Sequence, residues 1–269
     1  MLKILLNPKK AKRHAFEFFI ISIFYSSLSI LVASLIFPEY SSIVMVFLSS
    51  ISCLYVIQGA IKIEEQKEVD TTSEKNLLKK HSKLIKFILA LFIGFVVAFA
   101  FWSFILPDEK VATTFELQDK VIRGIQSQGI TGNAVNNSSA LKIIIKNNLK
   151  VLAISFILSL FYAAGSIFII VWNASIMGFA IGTIARNSEN FLSLPVLFTK
   201  YFLHGIPEML SYITIILTGN IIFISVLKKD IFREGAKKRV LIDTAILLII
   251  SILLVIISAL IEVFISPLI

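Results

Sequence analysis

Long apolar runs recur along this chain, and they restrict it to folds that a lipid bilayer can hold. A membrane-spanning helix needs about 20 apolar residues, because each residue rises about 1.5 Å across about 30 Å of hydrocarbon. Six runs have this length: Phe16–Phe37, Ile43–Ile61, Leu84–Leu106, Leu149–Trp172, Ile206–Leu227 and Val240–Ile265. Hydrophobic residues make up 57% of the 269 residues. The sequence therefore predicts an all-α fold, a polytopic transmembrane helical bundle of six to seven spans.

The stretch from Asn173 to Glu208 is more polar and richer in glycine than the runs around it. It contains two shorter apolar pieces, which the polar residues Arg186–Asn190 separate. Lipid offers no partner to unpaired polar groups, so such a stretch must be shielded by protein. We predict a short broken or partly embedded segment at 173–208, with a short crossing over 174–186 and a partly embedded helix over 191–204. A re-entrant hairpin over 174–204 is the alternative.

The distribution of Lys and Arg predicts the orientation, because an excess of both marks cytoplasmic loops. Residues 1–15, 62–86 and 228–239 hold 18 of the 26 basic residues. We therefore expect a multi-pass protein of the cell membrane with a cytoplasmic N-terminus, cytoplasmic loops at 62–83 and 228–239, and an external loop at 107–141. Lys142, Lys146 and Lys150 are predicted to form the polar face of an interfacial helix. The whole chain, 1–269, is predicted to be a single transmembrane domain.

Several classes of function find no support in the sequence. The single Cys53 excludes an intrachain disulfide and a cysteine-based metal site. The net charge is +9, but the basic residues flank apolar runs and form no patch with interleaved aromatics, so nucleic acid is not an expected partner. Phosphate-binding and dinucleotide-binding motifs are absent. We expect no enzyme, no catalytic residue, no cofactor and no metal; the lipid bilayer is the expected partner.

Small residues recur every four positions in the centre of the chain, on faces where helix backbones can approach closely. Packing within the bundle and a homodimer or partner interface are both open explanations. The residues concerned are Gly94 and Ala98; Ser155, Ser159 and Ala163; and Ala174, Gly178 and Gly182.

His204 and Glu208 stand four residues apart across Gly205-Ile206-Pro207. Proline cannot donate its N–H and glycine weakens a helix, so a kink is expected here. On a helix the two side chains would share a face and could bond each other. A structural clamp, a proton or ion relay and a metal ligand pair remain open. The spacing is not HExxH, and no third strong ligand lies nearby.

Five further polar residues lie in or beside the predicted spans. Lys200 and Glu262 fall near the predicted outer face, whereas Asn173 and Asn220 fall nearer the inner half. Glu262 is expected to be the most buried of the five, because ALIEVFI gives it no polar neighbour. The set is Glu17, Asn173, Lys200, Asn220 and Glu262.

Two stretches carry a resemblance to a known family. NNLKVLAISFILSLFYAAGSIFIIVWNASIMGFAIG, followed by LHGIPEMLSYI, resembles the stage II sporulation protein M family of integral membrane proteins, and the two chain ends resemble its archaeal branch. The resemblance implies a membrane fold and a set of characteristic residues without catalytic activity. These are Asn147, Asn148, Gly165, Asn173, Gly178, Gly182, His204, Gly205 and Glu208.

The family's namesake holds peptidoglycan-degrading partners during engulfment in spore-forming bacteria. Archaeal relatives lack that cell wall, so the resemblance does not carry that role across. Two hypotheses follow. The chain is a non-enzymatic scaffold or assembly subunit for itself, as a homodimer, or for other membrane or envelope proteins. Alternatively, it is a transporter or permease subunit with a polar site around His204 and Glu208.

Overall fold

The computed structural model describes residues 15–68, 77–125, 137–161, 163–187, 194–227, 229 and 234–268. Within these ranges the chain is helical and contains no strand. The α-helices are α1 (Ala15–Ile36), α2 (Ser41–Glu68), α3 (Leu77–Ile105), α4 (Asp108–Thr114), α5 (Glu116–Ile125), α6 (Asn137–Phe161), α7 (Ala163–Asn187), α8 (Leu194–Leu227) and α9 (Glu234–Leu260). A π-helical turn, Ile261–Ile265, and a 3-10 turn, Ser266–Leu268, follow α9.

Among the described residues, six helices are long and apolar enough to cross a membrane, which confirms the predicted all-α, multi-pass bundle. They are Ala15–Ile36, Ile85–Ile105, Asn137–Leu160, Gly165–Asn187, Phe198–Leu227 and Glu234–Leu268. The apolar helix Pro38–Leu54 is shorter than a span. The sides of the membrane and the loops at 62–83 and 228–239 stay predictions, and most residues of those loops lie outside the described ranges or have no described side chain.

The predicted span Leu149–Trp172 is wrong. α6 ends at Phe161 and α7 begins at Ala163, so the apolar run belongs to two helices. α6 also starts earlier than predicted, at Asn137. Lys142, Lys146 and Lys150 lie on one exposed face of this continuous helix. The predicted short crossing 174–186 is likewise part of the longer α7.

The predicted division between 191–204 and 206–227 is also wrong, because α8 runs without interruption from Leu194 to Leu227 and contains Pro207. A proline inside a helix leaves a backbone carbonyl of the preceding turn without its usual N–H donor. For Pro207 this is the carbonyl of Leu203, four residues earlier. Ser258 of α9 donates to the carbonyl of the next residue, His204, at 2.8 Å. A serine from a neighbouring helix is a recognised means of stabilising such a turn.

The Cα positions separate into two compact units. The first unit comprises Met1–Asp119 and Val171–Thr183, and the second comprises Lys120–Ile170 and Ile184–Ile269. The single-domain organisation stays a prediction.

In the first unit α1 packs closely against α3. A Cβ on Gly94 of α3 would overlap the hydroxyl of Ser22 and lie 2.5 Å from the carbonyl oxygen of Phe19. Glycine therefore permits this approach. The rings of Phe18 and Phe87 complete the contact edge to face, with centroids 4.2 Å apart. Aromatic pairs favour this arrangement.

Part of the predicted external loop 107–141 is folded against the first unit. Residues 108–119, which comprise α4 and the start of α5, form a cap over the start of α2. Ser42 donates to the carbonyl of Thr114 at 2.9 Å, and its oxygen accepts from the N–H of Leu117 at 3.2 Å. The fully buried Gln118 donates to Ser175 at 3.0 Å. These bonds fix the cap to the unit.

Candidate functional site

Two glycines of α7 make further close helix contacts in the first unit. A Cβ on Gly178 would lie 2.6 Å from the Cβ of Phe99 and 2.7 Å from the carbonyl oxygen of Val96. A Cβ on Gly182 would overlap Ser103. The small-residue faces at these positions are thus used for packing within the chain, which is the first of the two explanations left open by the sequence.

In the second unit a third such contact joins α6 to α8. A Cβ on Gly219 would overlap the hydroxyl of Ser159 and lie 3.2 Å from the carbonyl oxygen of Phe156. Ser159 lies two residues before the end of α6, and Gly219 lies near the end of α8.

This contact, together with a second one, shows that α6 and α8 run in the same direction. α6 also touches the π-helical turn that follows α9. That turn lies near His204, because His204 contacts both Ser258 and Ser266 on either side of it. Ser159 lies near the C-terminal end of α6 and contacts Gly219 of α8. The part of α6 that reaches the π-helical turn is therefore the N-terminal part of α6.

The shared direction places two residues of the predicted site at one level. Asn148 precedes Ser159 by 11 residues, and Glu208 precedes Gly219 by 11 residues. Eleven residues make about three helical turns, so each pair lies on one face of its helix and spans about 16 Å. Asn148 and Glu208 therefore face each other's helix at the same depth.

Asn147 and Asn148 differ in exposure. Asn147 is exposed, whereas Asn148 is 5% exposed. Asn147 donates to the Oδ1 of Asn148 at 3.5 Å, and within the described residues the Nδ2 of Asn148 has no hydrogen-bond partner. A buried amide N–H without an acceptor is costly, so this donor is available to a nearby acceptor.

His204 is half-buried and joins α8 to the end of the chain. Its Nδ1 lies 3.1 Å from the hydroxyl of Ser266, and its ring centroid lies 5.9 Å from that of Tyr201. Gly205, beside it, is buried. His204 therefore connects α8 to the turns that follow α9.

Glu208 is half-buried and takes a partner on its own helix. The hydroxyl of Tyr212, which is fully buried, donates to its Oε1 at 2.9 Å. The predicted bond between His204 and Glu208 is thus replaced by two separate contacts, His204 with Ser266 and Glu208 with Tyr212. Together they resemble the predicted structural clamp more than a ligand pair.

Glu262 belongs to the same cluster, which the sequence did not indicate. It lies in the π-helical turn, four residues from both Ser258 and Ser266, which contact His204 one helical turn before Glu208. π-helical turns are rare and occur often at functional sites. Glu262 is half-buried, so it is less buried than Asn220, which is 6% exposed.

The remaining predicted residues do not join this cluster. Asn173, Gly178 and Gly182 lie on the part of α7 that belongs to the first unit. Asn173 is half-buried, and the two glycines are buried. A Cβ on Gly165 would lie 3.3 Å from the Cβ of Leu158. Within the described residues no group of three or more His, Cys, Asp or Glu side chains is arranged to hold a metal ion.

Comparison with known families identifies the chain. The profile of the family described as Stage II sporulation protein M matches residues 43–267. This chain belongs to the stage II sporulation protein M family. No curated protein and no solved structure matches it. The matched range contains both the cap and the cluster around Glu208.

The family resemblance seen in the sequence indicates four residues of the cluster in the second unit: Asn148, His204, Gly205 and Glu208. Tyr212 stands four residues after Glu208 and is the one partner that helical spacing alone could have indicated. Glu262 and Ser266 are more than 50 positions away in the sequence, so only the fold brings them to His204 and Glu208.

Proposed function

We propose that this stage II sporulation protein M chain is a non-enzymatic integral membrane scaffold, an assembly subunit that holds another membrane or envelope protein. The family is not known as an enzyme family, which supports the proposal. The observation that carries it is the cap at residues 108–119, an ordered polar surface. In the sequence it lies between the candidate spans Ile85–Ile105 and Asn137–Leu160.

The cap offers a fixed and charged surface. Phe115 of the cap is fully buried and stacks on Phe179 of α7, with ring centroids 5.3 Å apart. This contact holds the cap against α7. Asp108, Glu109 and Glu116 are exposed on it, and Lys110 is its single basic residue. An acidic surface favours a partner with a basic one, because complementary charges steer association.

The hydroxyl groups of the spans support a structural role. Buried serines donate to carbonyls of their own helices, as Ser49 does to Met45 at 2.7 Å and Ser155 to Val151 at 2.8 Å. The contact of His204 with Ser266 joins a base to a hydroxyl, but a catalytic triad also orients the histidine through a carboxylate. The Oε1 of Glu208 instead accepts from Tyr212.

A photo-crosslinking amino acid at Glu109 tests the scaffold in native membranes. We expect one discrete protein adduct, which is lost when Lys replaces Asp108 and Glu116 while the thermal stability of the chain is kept. The same probe at the exposed Lys237 of α9 is the matched control and should give no such adduct. An adduct that survives the charge reversal, or no adduct at Glu109, would reject the acidic cap as the docking surface.

Transport is the second candidate, and the cluster of Glu208, Glu262 and His204 favours it. Ionisable residues inside membrane spans are costly and often mark pathways for ions or protons. The test is uptake of ions by liposomes that contain the purified chain. A flux that Glu208→Gln abolishes, while Glu39→Gln leaves it intact, would support transport over scaffolding.

A further inference from the structure

Three elements of the second unit meet at the level of Glu208. The parallel register places Asn148 of α6 there, and the hydrogen bonds of His204 to Ser258 and Ser266 place the π-helical turn there. Glu262 stands midway between those two serines in the sequence. Glu208 and Glu262 therefore stand on two elements that His204 joins, at the level of a buried amide on a third.

From this arrangement we propose that Asn148, Glu208 and Glu262 form a proton-binding site, in which the two carboxyl groups hold one proton between them. The proposal goes beyond scaffolding and does not depend on it, because the cap belongs to the first unit and this site to the second.

The proton count follows from charge repulsion. Two carboxylates close together in a poorly polar environment repel strongly, so one of them retains its proton while the other ionises. The described residues provide a hydrogen-bond donor to Glu208, the Tyr212 hydroxyl at 2.9 Å, but none to Glu262. Hydrogen bonds to a carboxylate favour its charged form. Glu208 is thus the group that carries the charge, and Glu262 the group that carries the proton.

Asn148 supplies the second observation that points to a ligand. It is buried, and its Nδ2 is without a partner among the described residues. Its level matches that of Glu208, so its N–H groups are suited to a carboxylate oxygen. An amide and a hydroxyl can together stabilise one negative charge.

The other charged groups near the site are few. On α8 they are Lys200, whose charge interacts with His204, together with His204, Tyr201 and Tyr212. On α6 the lysines are exposed, and Lys146 and Lys150 point away from the face of Asn148. On α9 the charged residues Glu234, Lys237, Lys238, Arg239 and Asp243 lie at the opposite end of the helix.

Infrared spectroscopy of the full chain in lipid nanodiscs tests the site by following the carboxyl C=O band as the pH is raised. We expect the wild type to lose this band in two steps, because coupled carboxyl groups titrate as a pair. In Glu208→Gln and in Glu262→Gln a single step should remain, at least about one pH unit below the upper step of the wild type. Glu39→Gln, at an exposed position, should leave both steps unchanged.

An upper step that neither glutamine variant moves would overturn the proposal. So would loss of the band on addition of sodium ions at constant pH, because a metal cation would then occupy the site in place of the proton. Retained thermal unfolding of each variant shows that a shift does not arise from misfolding.

Asn148→Leu provides a second measurement that a purely structural role would not affect. Loss of the amide donor should move both steps to higher pH by about one unit, because the charged form loses a hydrogen bond. Asn220→Leu is the matched control, since Asn220 is 6% exposed, has an unpartnered Nδ2 and stands 12 residues after Glu208. Equal shifts in both variants, or none in Asn148→Leu, would remove Asn148 from the site.

Discussion

Combining Gly219→Ala with Ser159→Gly should restore a close contact that Gly219→Ala alone disrupts. In Gly219→Ala the new Cβ would overlap the hydroxyl of Ser159 and lie 2.8 Å from its Cβ. The Ser159 hydroxyl is held by the carbonyl of Phe156 at 2.6 Å, so rotation away loses a hydrogen bond. The same carbonyl also lies 3.2 Å from the new Cβ, which leaves little room for adjustment.

The magnitude follows from two opposing effects. Overpacking costs about 1–3 kcal/mol, and alanine gains about 1 kcal/mol over glycine in a helix, so Gly219→Ala should destabilise the chain by about 0–2 kcal/mol. Ser159→Gly alone should cost about 0.5–1 kcal/mol through its lower helix propensity. In the double variant the overlap disappears, so the coupling energy should equal the overpacking cost, about 1–3 kcal/mol in its favour.

The assay is reversible unfolding in mixed micelles of the wild type, both single variants and the double variant, read as the free energy of unfolding. Additive losses in the double variant would show that Gly219 and Ser159 do not touch. The register of α6 against α8, and the position of Asn148 beside Glu208, would then lose their basis.

Further substitutions test the other contacts through the thermal stability of the purified chain. Gly178→Leu should destabilise the first unit by at least about 3 kcal/mol, since its side chain meets a backbone carbonyl, whereas Gly235→Ala, with nothing within 4 Å, should be neutral or stabilising. Equal effects would contradict the close contact. Gln118→Leu should cost about 1–2 kcal/mol by removing a buried hydrogen bond, and unchanged stability would argue against a fixed cap. Ser258→Ala should cost about 1 kcal/mol because the carbonyl of His204 loses its hydrogen bond from α9, and a smaller loss than at the exposed Thr199→Ala would refute that assignment.

The apolar runs predict where helices lie, but not always where they end. α1 and the apolar part of α3 fall within one residue of the predicted bounds, because charged or proline residues flank both runs. The run over 149–172 carries no such mark, so its division between α6 and α7 was not predicted. Hydropathy measures only burial in lipid, and a helix end inside an apolar run leaves it unchanged.

α8 is continuous although its local sequence predicts a break, and a tertiary contact lies beside the proline. Gly205 and Pro207 both disfavour a helix, and the local sequence therefore predicts a break. The hydroxyl of Ser258, 54 residues away, donates to the carbonyl of His204 and stabilises the turn. Helix propensities of neighbouring residues cannot predict this hydrogen bond from a distant helix.

The site was predicted in part. The family resemblance and the polar pattern indicated Asn148, His204 and Glu208, but assigned His204 and Glu208 to each other. Their actual partners, Ser266 and Tyr212, depend on how α8 packs against the end of α9. The cap was predicted as a loop, because its amphipathic helices are short and their buried bonds reach Ser42 and Ser175 far away in the sequence.

Crosslinking of paired cysteines most directly tests the claim that Asn148 and Glu208 lie at one level of two parallel helices. Replacing Cys53 by serine removes the single native cysteine. With a short bifunctional thiol reagent, Asn148→Cys combined with Glu208→Cys should crosslink within one chain, and Asn148→Cys combined with Val226→Cys should not. Crosslinking of the second pair without the first would mean that α6 and α8 run in opposite directions, and would contradict the account.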